Sequence, residues 1–490
     1  MSELRVKSAV SLKWLAIGNV ASFSLNFIVM VLLARLLGPE PLGLIGLTNL
    51  ILSIVIVLTE LGIGAAVIQS MTISDEQLST LFWLTLIIGA SFTVLVFVAS
   101  PLVASLFGQE ELEEILSILS CVLFVSSIAA VKIGLLERNL QFDRLTLATV
   151  TSVTVYGAIA VILAMFGLGV WSVVWAILAR EITKAITVWF AVDWRPKVCF
   201  ALHKTYGLII FGVNVMGGRL VQFLRSNIDY IIIGLLMGTE SFGYYSLAYN
   251  LISMPASRLS LLVSQVAFPS FSKLQKDDAK LRNAYLKMTH YLSILIFPAL
   301  VGLAITAPWL IPTVFGEEWQ PAVILVQLMC VAGALKGVAT PVIAVINGKG
   351  YPAISFFWNL LVLSIATLLM LFLARYGVIG IALATTIITL INFPLIQAVA
   401  GRLIGLKRGD YLAALRPAIA VSATVGGVVG LVTYLLQTSN MLSNNLAILF
   451  IQICVGVVTW LVTLLGSDRR SVHELVALFW LSLRGAPVQQ

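Results

Sequence analysis

The sequence predicts an all-α polytopic membrane protein, in which fourteen transmembrane helices form two parallel six-helix repeats plus two C-terminal helices, with both termini cytoplasmic. Three observations carry this expectation. Of the 490 residues, 60% are hydrophobic and 11% charged, whereas an ordinary soluble domain carries about 25% charged residues. The apolar runs are long and continuous, where a membrane β-barrel would alternate in segments of roughly ten residues. Finally, LLGPEPLGLIGL at Leu36–Leu47 returns as LMGTESFGYYSL at Leu236–Leu247. Leu36/Leu236, Gly38/Gly238, Glu40/Glu240, Gly43/Gly243 and Leu47/Leu247 stay in register.

The N-terminal lobe is expected over residues 1–204. It opens with Arg5, Lys7 and Lys13 and an apolar run reaching Leu33, longer than a signal-peptide core of about 7–15 residues, so it reads as a retained first helix. Apolar segments at 12–35, 42–68, 78–106, 113–134, 145–167 and 169–192 supply its six helices. The C-terminal lobe, 205–404, draws its six from 206–236, 242–269, 288–312, 320–346, 352–374 and 377–401. Segments 411–436 and 444–466 make the extension, 405–466. In the tail, 467–490, Val472, Val476, Phe479 and Leu483 recur at helical spacing beside Arg469 and Arg470, which suits an interfacial amphipathic helix.

Charge placement supports this order. Cytoplasmic loops of membrane proteins hold the excess of Lys and Arg. Basic clusters fall at Arg5–Lys13, Lys132–Arg144, Arg180–Lys204, Lys273–Lys287, Arg402–Arg416 and Arg469–Arg484, with Lys349 between, all on one side. The other side holds Arg35 and Arg375 beside acids such as Glu110, Glu111, Glu317 and Glu318. One inner loop, Gln69–Gln77, departs from the pattern, with Asp75 and Glu76 and no basic residue.

A second match makes the duplication more than chance. FGQE at Phe107–Glu110 joins helices three and four, and FGEE at Phe315–Glu318 joins helices nine and ten. Six is even, so both repeats enter the membrane from one side, a parallel-repeat design used by transporters working by alternating access.

The net charge of +8 has no basic block interleaved with aromatics, so nucleic acid is not the expected partner. Cys121, Cys199, Cys330 and Cys454 form neither a disulfide framework nor a zinc spacing, and the isolated His203, His290 and His473 suit surface or core roles better than a metal site. No P-loop, GxSxG elbow or HExxH stretch is present, so neither an enzyme nor a cofactor is expected.

Once loops are assigned, the charges left inside helices are Glu60, Arg219, Arg225, Asp229, Arg258 and Lys336. Such residues are costly at membrane depth and face a bundle interior or a water-filled cavity. On helix seven, Asn214, Arg219, Gln222, Arg225, Ser226 and Asp229 fall within an arc of roughly 140°. Asn19, Ser22 and Asn26 occupy the matching face of helix one, and Asn250, Ser253, Ser257, Arg258 and Gln265 form an arc on helix eight beside Pro255. The cavity candidates are therefore Arg219, Arg225, Arg258, Gln222, Asn19, Asn26, Asn250 and Lys336, with guanidinium groups suited to phosphate oxygens. The competing reading pairs Arg225 with Asp229 one turn on and lets Arg219 snorkel. Glu60 and Asp229 are the carboxylates that could take a coupling proton or sodium ion, or be structural partners.

LLARLLGPEPLG, LGIGAAVIQ, GLGVWSVVWAIL, NIDYIIIGLLMGTESFGYYSLAYNLISMP and VAFPSFSKLQ resemble the polysaccharide-export, O-antigen flippase (Wzx-type) branch of the multidrug/oligosaccharidyl-lipid/polysaccharide superfamily. The resemblance implies a V-shaped pair of six-helix lobes in the bacterial plasma membrane. It also implies a flippase turning undecaprenyl-diphosphate-linked oligosaccharide from the cytoplasmic to the outer leaflet, with polysaccharide polymerases and glycosyltransferases as neighbours. Three alternatives stand beside it. A multidrug antiporter of the same fold would want an acidic cavity, whereas Arg219, Arg225, Arg258 and Lys336 outnumber Glu60 and Asp229. A major-facilitator carrier would show an Asp-Arg-x-Gly-Arg pattern where this chain reads QSMTISDEQ. A non-transporting scaffold for glycan assembly would tolerate neutralised arginines.

Overall fold

The computed structural model describes residues 2–59, 64, 67, 73–255, 277–438 and 444–467, all of them helix or short connection. By internal contacts it divides into two units, Met1–Gly243 and Tyr244–Leu478. The first holds α1 (Ser2–Leu37), α2 (Pro39–Thr59), α3 (Asp75–Phe107), α4 (Glu111–Leu119), α5 (Cys121–Arg138), α6 (Phe142–Met165), α7 (Val170–Ala191) and α8 (Leu202–Leu236). Helix α9, residues 238–255, starts in the first unit and continues into the second. The second goes on with α10 (Asp278–Phe315), α11 (Ala322–Gly348), α12 (Pro352–Leu373), α13 (Gly377–Ile404), α14 (Arg408–Thr438) and α15 (Asn445–Ser467). Among the described residues, eleven helical stretches are long and apolar enough to cross a membrane.

Local chemistry sets the boundaries. Ser74 caps α3 with a reciprocal pair: its Oγ accepts from the Gln77 amide at 3.3 Å and its own amide donates to Gln77 Oε1 at 2.9 Å. Asp75 and Glu76, in that first turn, suit the positive end of the helix dipole. They also explain the loop that breaks the charge pattern, because their partners come from elsewhere in the chain. Lys197 Nζ lies 3.7 Å from Asp75 and Lys204 Nζ 2.8 Å from Glu76. The segment at 113–134, expected as one helix, divides at Ser120 into α4 and α5.

In the first unit α1 packs on α6, α6 on α7, and α3 on α5. Val67, Leu78, Leu81, Phe82, Val131 and Leu135 make a core flanked by Trp83, Trp189 and Trp194. Fully buried Lys132 sits beside it, donating to the carbonyls of Trp189 (3.2 Å) and Val192 (3.0 Å) with Nζ 4.0 Å from the Trp189 ring centroid. Arg144 donates to Ala191 O and Arg195 to Val192 O. Three cations thus satisfy the carbonyl end of α7, where the helix dipole favours positive charge.

In the second unit α10 packs on α11 and α14, and α11 on α13. Trp460 of α15 donates to Ile294 O at 3.2 Å. His290 Nδ1 lies 3.1 Å from Ala414 O, so this histidine ties α10 to α14.

The repeated phrases share backbone geometry. Gly38 and Gly238 take φ of 76° and 80°, and Gly108 and Gly316, in the second phrase, φ of 64° and 115°. These are left-handed or otherwise positive-φ values that favour glycine. Gly43 and Gly243 meet each other's turns reciprocally. A Cβ on Gly43 would lie 1.8 Å from Thr239 O, and one on Gly243 2.2 Å from Pro39 O. Pro39 and Thr239 are themselves equivalent positions in the two phrases.

Candidate functional site

Helix α8 carries the densest set of sequence-selected residues. Arg219, Gln222 and Ser226 are exposed at three- and four-residue spacing, which places them on one stripe, and Arg225 is half-buried beside them. Asp229 is 4% exposed and accepts from the Tyr230 amide at 3.0 Å. The Tyr230 ring packs 5.2 Å from that of Phe242. Asn227 turns back on its own helix, donating to Phe223 O at 2.9 Å. The helix packs on α2 and α3, and only 6% of its spanning window is buried.

On α1, Asn19 and Asn26 are exposed, and Asn26 Nδ2 donates to Ser22 O at 2.8 Å. On α9, Asn250 is exposed and its carbonyl accepts from Ser253 Oγ at 3.2 Å. Lys336 of α11 reaches the preceding residue of α9, with Nζ 5.4 Å from the Tyr249 ring centroid. Gly333 permits the approach by lying against Ile252 of α9. Glu60, Arg258, the Asn214 side chain and the 472–483 tail segment lie outside the described residues.

Sequence reasoning missed a second group. Arg180 and Lys184 were expected in an inner loop cluster, but with Glu181 they occupy the middle of α7. Arg180 Nε pairs with Glu181 Oε1 at 3.0 Å, and its guanidinium lies 5.4 Å from the Tyr156 ring centroid. Glu181 and Lys184 line a cavity of about 60 Å³ with Thr59, Thr85, Ser126 and Ser127. The signal was present: the run continues through AITVWFA after Lys184, too apolar for a loop.

Solved transporters share this helical membrane fold. The lipid II flippase MurJ in its inward closed conformation superposes with a TM-score of 0.74 at 16% identity, covering 93% of this chain and 99% of that one. An inward-facing MATE multidrug resistance transporter of the MOP superfamily gives 0.62 at 15% identity, covering 80% and 98%.

Residues 32–324 match the family described as polysaccharide biosynthesis protein. Teichuronic acid biosynthesis protein TuaB of Bacillus subtilis is 30% identical over 374 residues, 76% of this chain and 77% of the relative. Lipopolysaccharide biosynthesis protein WzxC of Escherichia coli is 29% identical over 362 residues, 73% of each. The chain belongs to this polysaccharide biosynthesis family, shares the fold of these two solved transporters, and is a multi-pass bacterial inner-membrane protein rather than an enzyme.

Proposed function

We propose that the protein moves undecaprenyl-diphosphate-linked oligosaccharide units from the cytoplasmic to the outer leaflet by alternating access, supplying cell-surface polysaccharide assembly. The observation that carries this reading is the stripe on α8. Arg219, Gln222 and Ser226 stand exposed on a membrane-length helix. Lipid would not accept them there, whereas water or a charged headgroup would. Guanidinium forks match diphosphate oxygens, and the amides of Asn19, Asn26 and Asn250 suit sugar hydroxyls. Arg225, Arg258 and Lys336 add charge to the same route, and Asp229 or Glu60 takes the coupling proton or sodium ion.

The architecture in this reading is fourteen spanning helices in two parallel repeats, 1–204 and 205–404, with an extension at 405–466, a tail at 467–490 and both ends cytoplasmic. Several facts support it. The continuous apolar stretch Ala353–Ile404 is two helices separated by the turn Ala374–Tyr376. Helix α7 is of spanning length despite its three charges, and α9 is of spanning length too. Gly43 and Gly243, equivalent positions in the two phrases, make equivalent close approaches, as repeated sequence would.

The test places purified protein, native and Arg225→Ala/Arg258→Ala, in vesicles and follows how much lipid-linked oligosaccharide becomes accessible in the opposite leaflet. Native activity with at least tenfold loss in the variant is expected. Equal rates would make the arginines structural. Absence of native activity would favour the scaffold or the drug antiporter.

A further inference from the structure

The cavity beside α7 is lined by no α8 residue among the described residues and is not used by the function proposed above. Helix α7 spans 22 residues, so Lys184 lies about 20 Å along it at 1.5 Å per residue, within the membrane's depth. Its surroundings are largely buried and polar at once. Thr59, Thr85 and Ser127 are at most 2% exposed, while the Glu181 side chain is 15% exposed.

Each hydroxyl is already engaged with its own helix: Thr59 donates to Ile56 O (2.9 Å), Thr85 to Leu81 O (2.7 Å), and Ser126 and Ser127 to Leu123 O (3.0 and 2.7 Å). Taken alone, oxygens with spent protons would favour a cation. Charge decides otherwise. Arg180 neutralises Glu181, and Lys184 makes no hydrogen bond or ion pair among the described residues. Among the described residues the cavity therefore carries one unbalanced positive charge. Balancing it outweighs the small cost of turning a hydroxyl off a carbonyl that already accepts a helix bond.

We propose that this cavity is a binding site for a singly charged carboxylate, held by Lys184 and by the hydroxyls of Thr59, Thr85, Ser126 and Ser127. The volume of about 60 Å³ admits a carboxylate with a part of the ring that bears it, and excludes a diphosphate with its lipid. Its source is an acidic sugar of the glycan, an assignment that rests on the flippase reading above. Carboxylate binding itself does not depend on that reading.

The test measures thermal unfolding of the full-length purified protein in detergent against rising glucuronate, glucose and acetate at matched sodium concentration. Native protein, Lys184→Gln and Lys184→Arg are compared. Glucuronate is expected to raise the midpoint of native protein and of Lys184→Arg, with at least tenfold weaker apparent affinity in Lys184→Gln, and glucose is expected to have no effect. Acetate acting as well as glucuronate would keep the carboxylate site but overturn the sugar as its source. Stabilisation by glucose, an undiminished response in Lys184→Gln, or no response to any of the three would overturn the site. Failure of native protein to flip lipid-linked glycan in vesicles would overturn the flippase reading and leave the binding result standing.

Discussion

Helices α7 and α8 each carry three or more polar and charged residues in a membrane-length run, and the fold treats them in opposite ways. On α7, Arg180 and Glu181 pair, and Glu181 and Lys184 line a cavity shared with neighbouring helices. On α8, Arg219, Gln222 and Ser226 are left exposed by the unit that holds them. Helix α7 is gripped along its length, by α6, by α5 and by the cations at its carbonyl end, whereas α8 rests on α2 and α3. Intramembrane charge is therefore held in two ways in one unit, and on the function proposed above the lightly covered helix is the one that meets cargo.

That contrast is broken most severely at the end of α7. Lys132→Met removes a buried donor from the carbonyls of Trp189 and Val192 and a cation from the Trp189 face. Arg195 still reaches Val192 O, so the expected loss is about 2 kcal/mol rather than the full cost of two unmet acceptors. Chemical denaturation in mild detergent reads it, and an unchanged midpoint would show that α7 does not depend on this anchor. Glu181→Gln comes next. It leaves the Arg180 guanidinium without its carboxylate in a site about one-third exposed, and about 1 kcal/mol is expected once solvent screening is allowed for. A loss as small as that of an ordinary surface change would mean that the pair does not anchor the helix.

Much of this architecture was legible because lipid imposes simple rules. Helix 377–401 appears as Gly377–Ile404 and 352–374 as Pro352–Leu373, since apolar length and a Gly or Pro boundary suffice to mark a span. The Gly38/Gly238 match could be read because positive φ restricts the residue type. The α8 stripe could be read because its polar residues share one face against an apolar background. The α7 group was missed although the apolar run continues past Lys184, because Arg180 and Lys184 taken singly look the same whether a loop or a helix interior holds them. The pairing of Asp75 and Glu76 with Lys197 and Lys204 was equally hidden, since it depends on which distant segment folds back over α3.

The smallest stability effect is the most informative. Arg219→Ala and Gln222→Ala, alone or together, remove side chains that the structure leaves exposed, so each should change unfolding by less than about 0.5 kcal/mol. The same variants should slow glycan translocation several-fold, because an exposed intramembrane arginine has a function to lose where a scaffold residue has only packing. Lys132→Met sets the reverse pattern, with reduced stability and near-normal rate per folded molecule. If the α8 variants destabilise as much as the α7 variants, α8 is scaffold as well, and cargo recognition must lie elsewhere, with the α7 cavity the next place to test. If they leave both stability and transport untouched, Arg219 does no more than reach the headgroups from its helix. The cationic route then rests on Arg225 and Arg258.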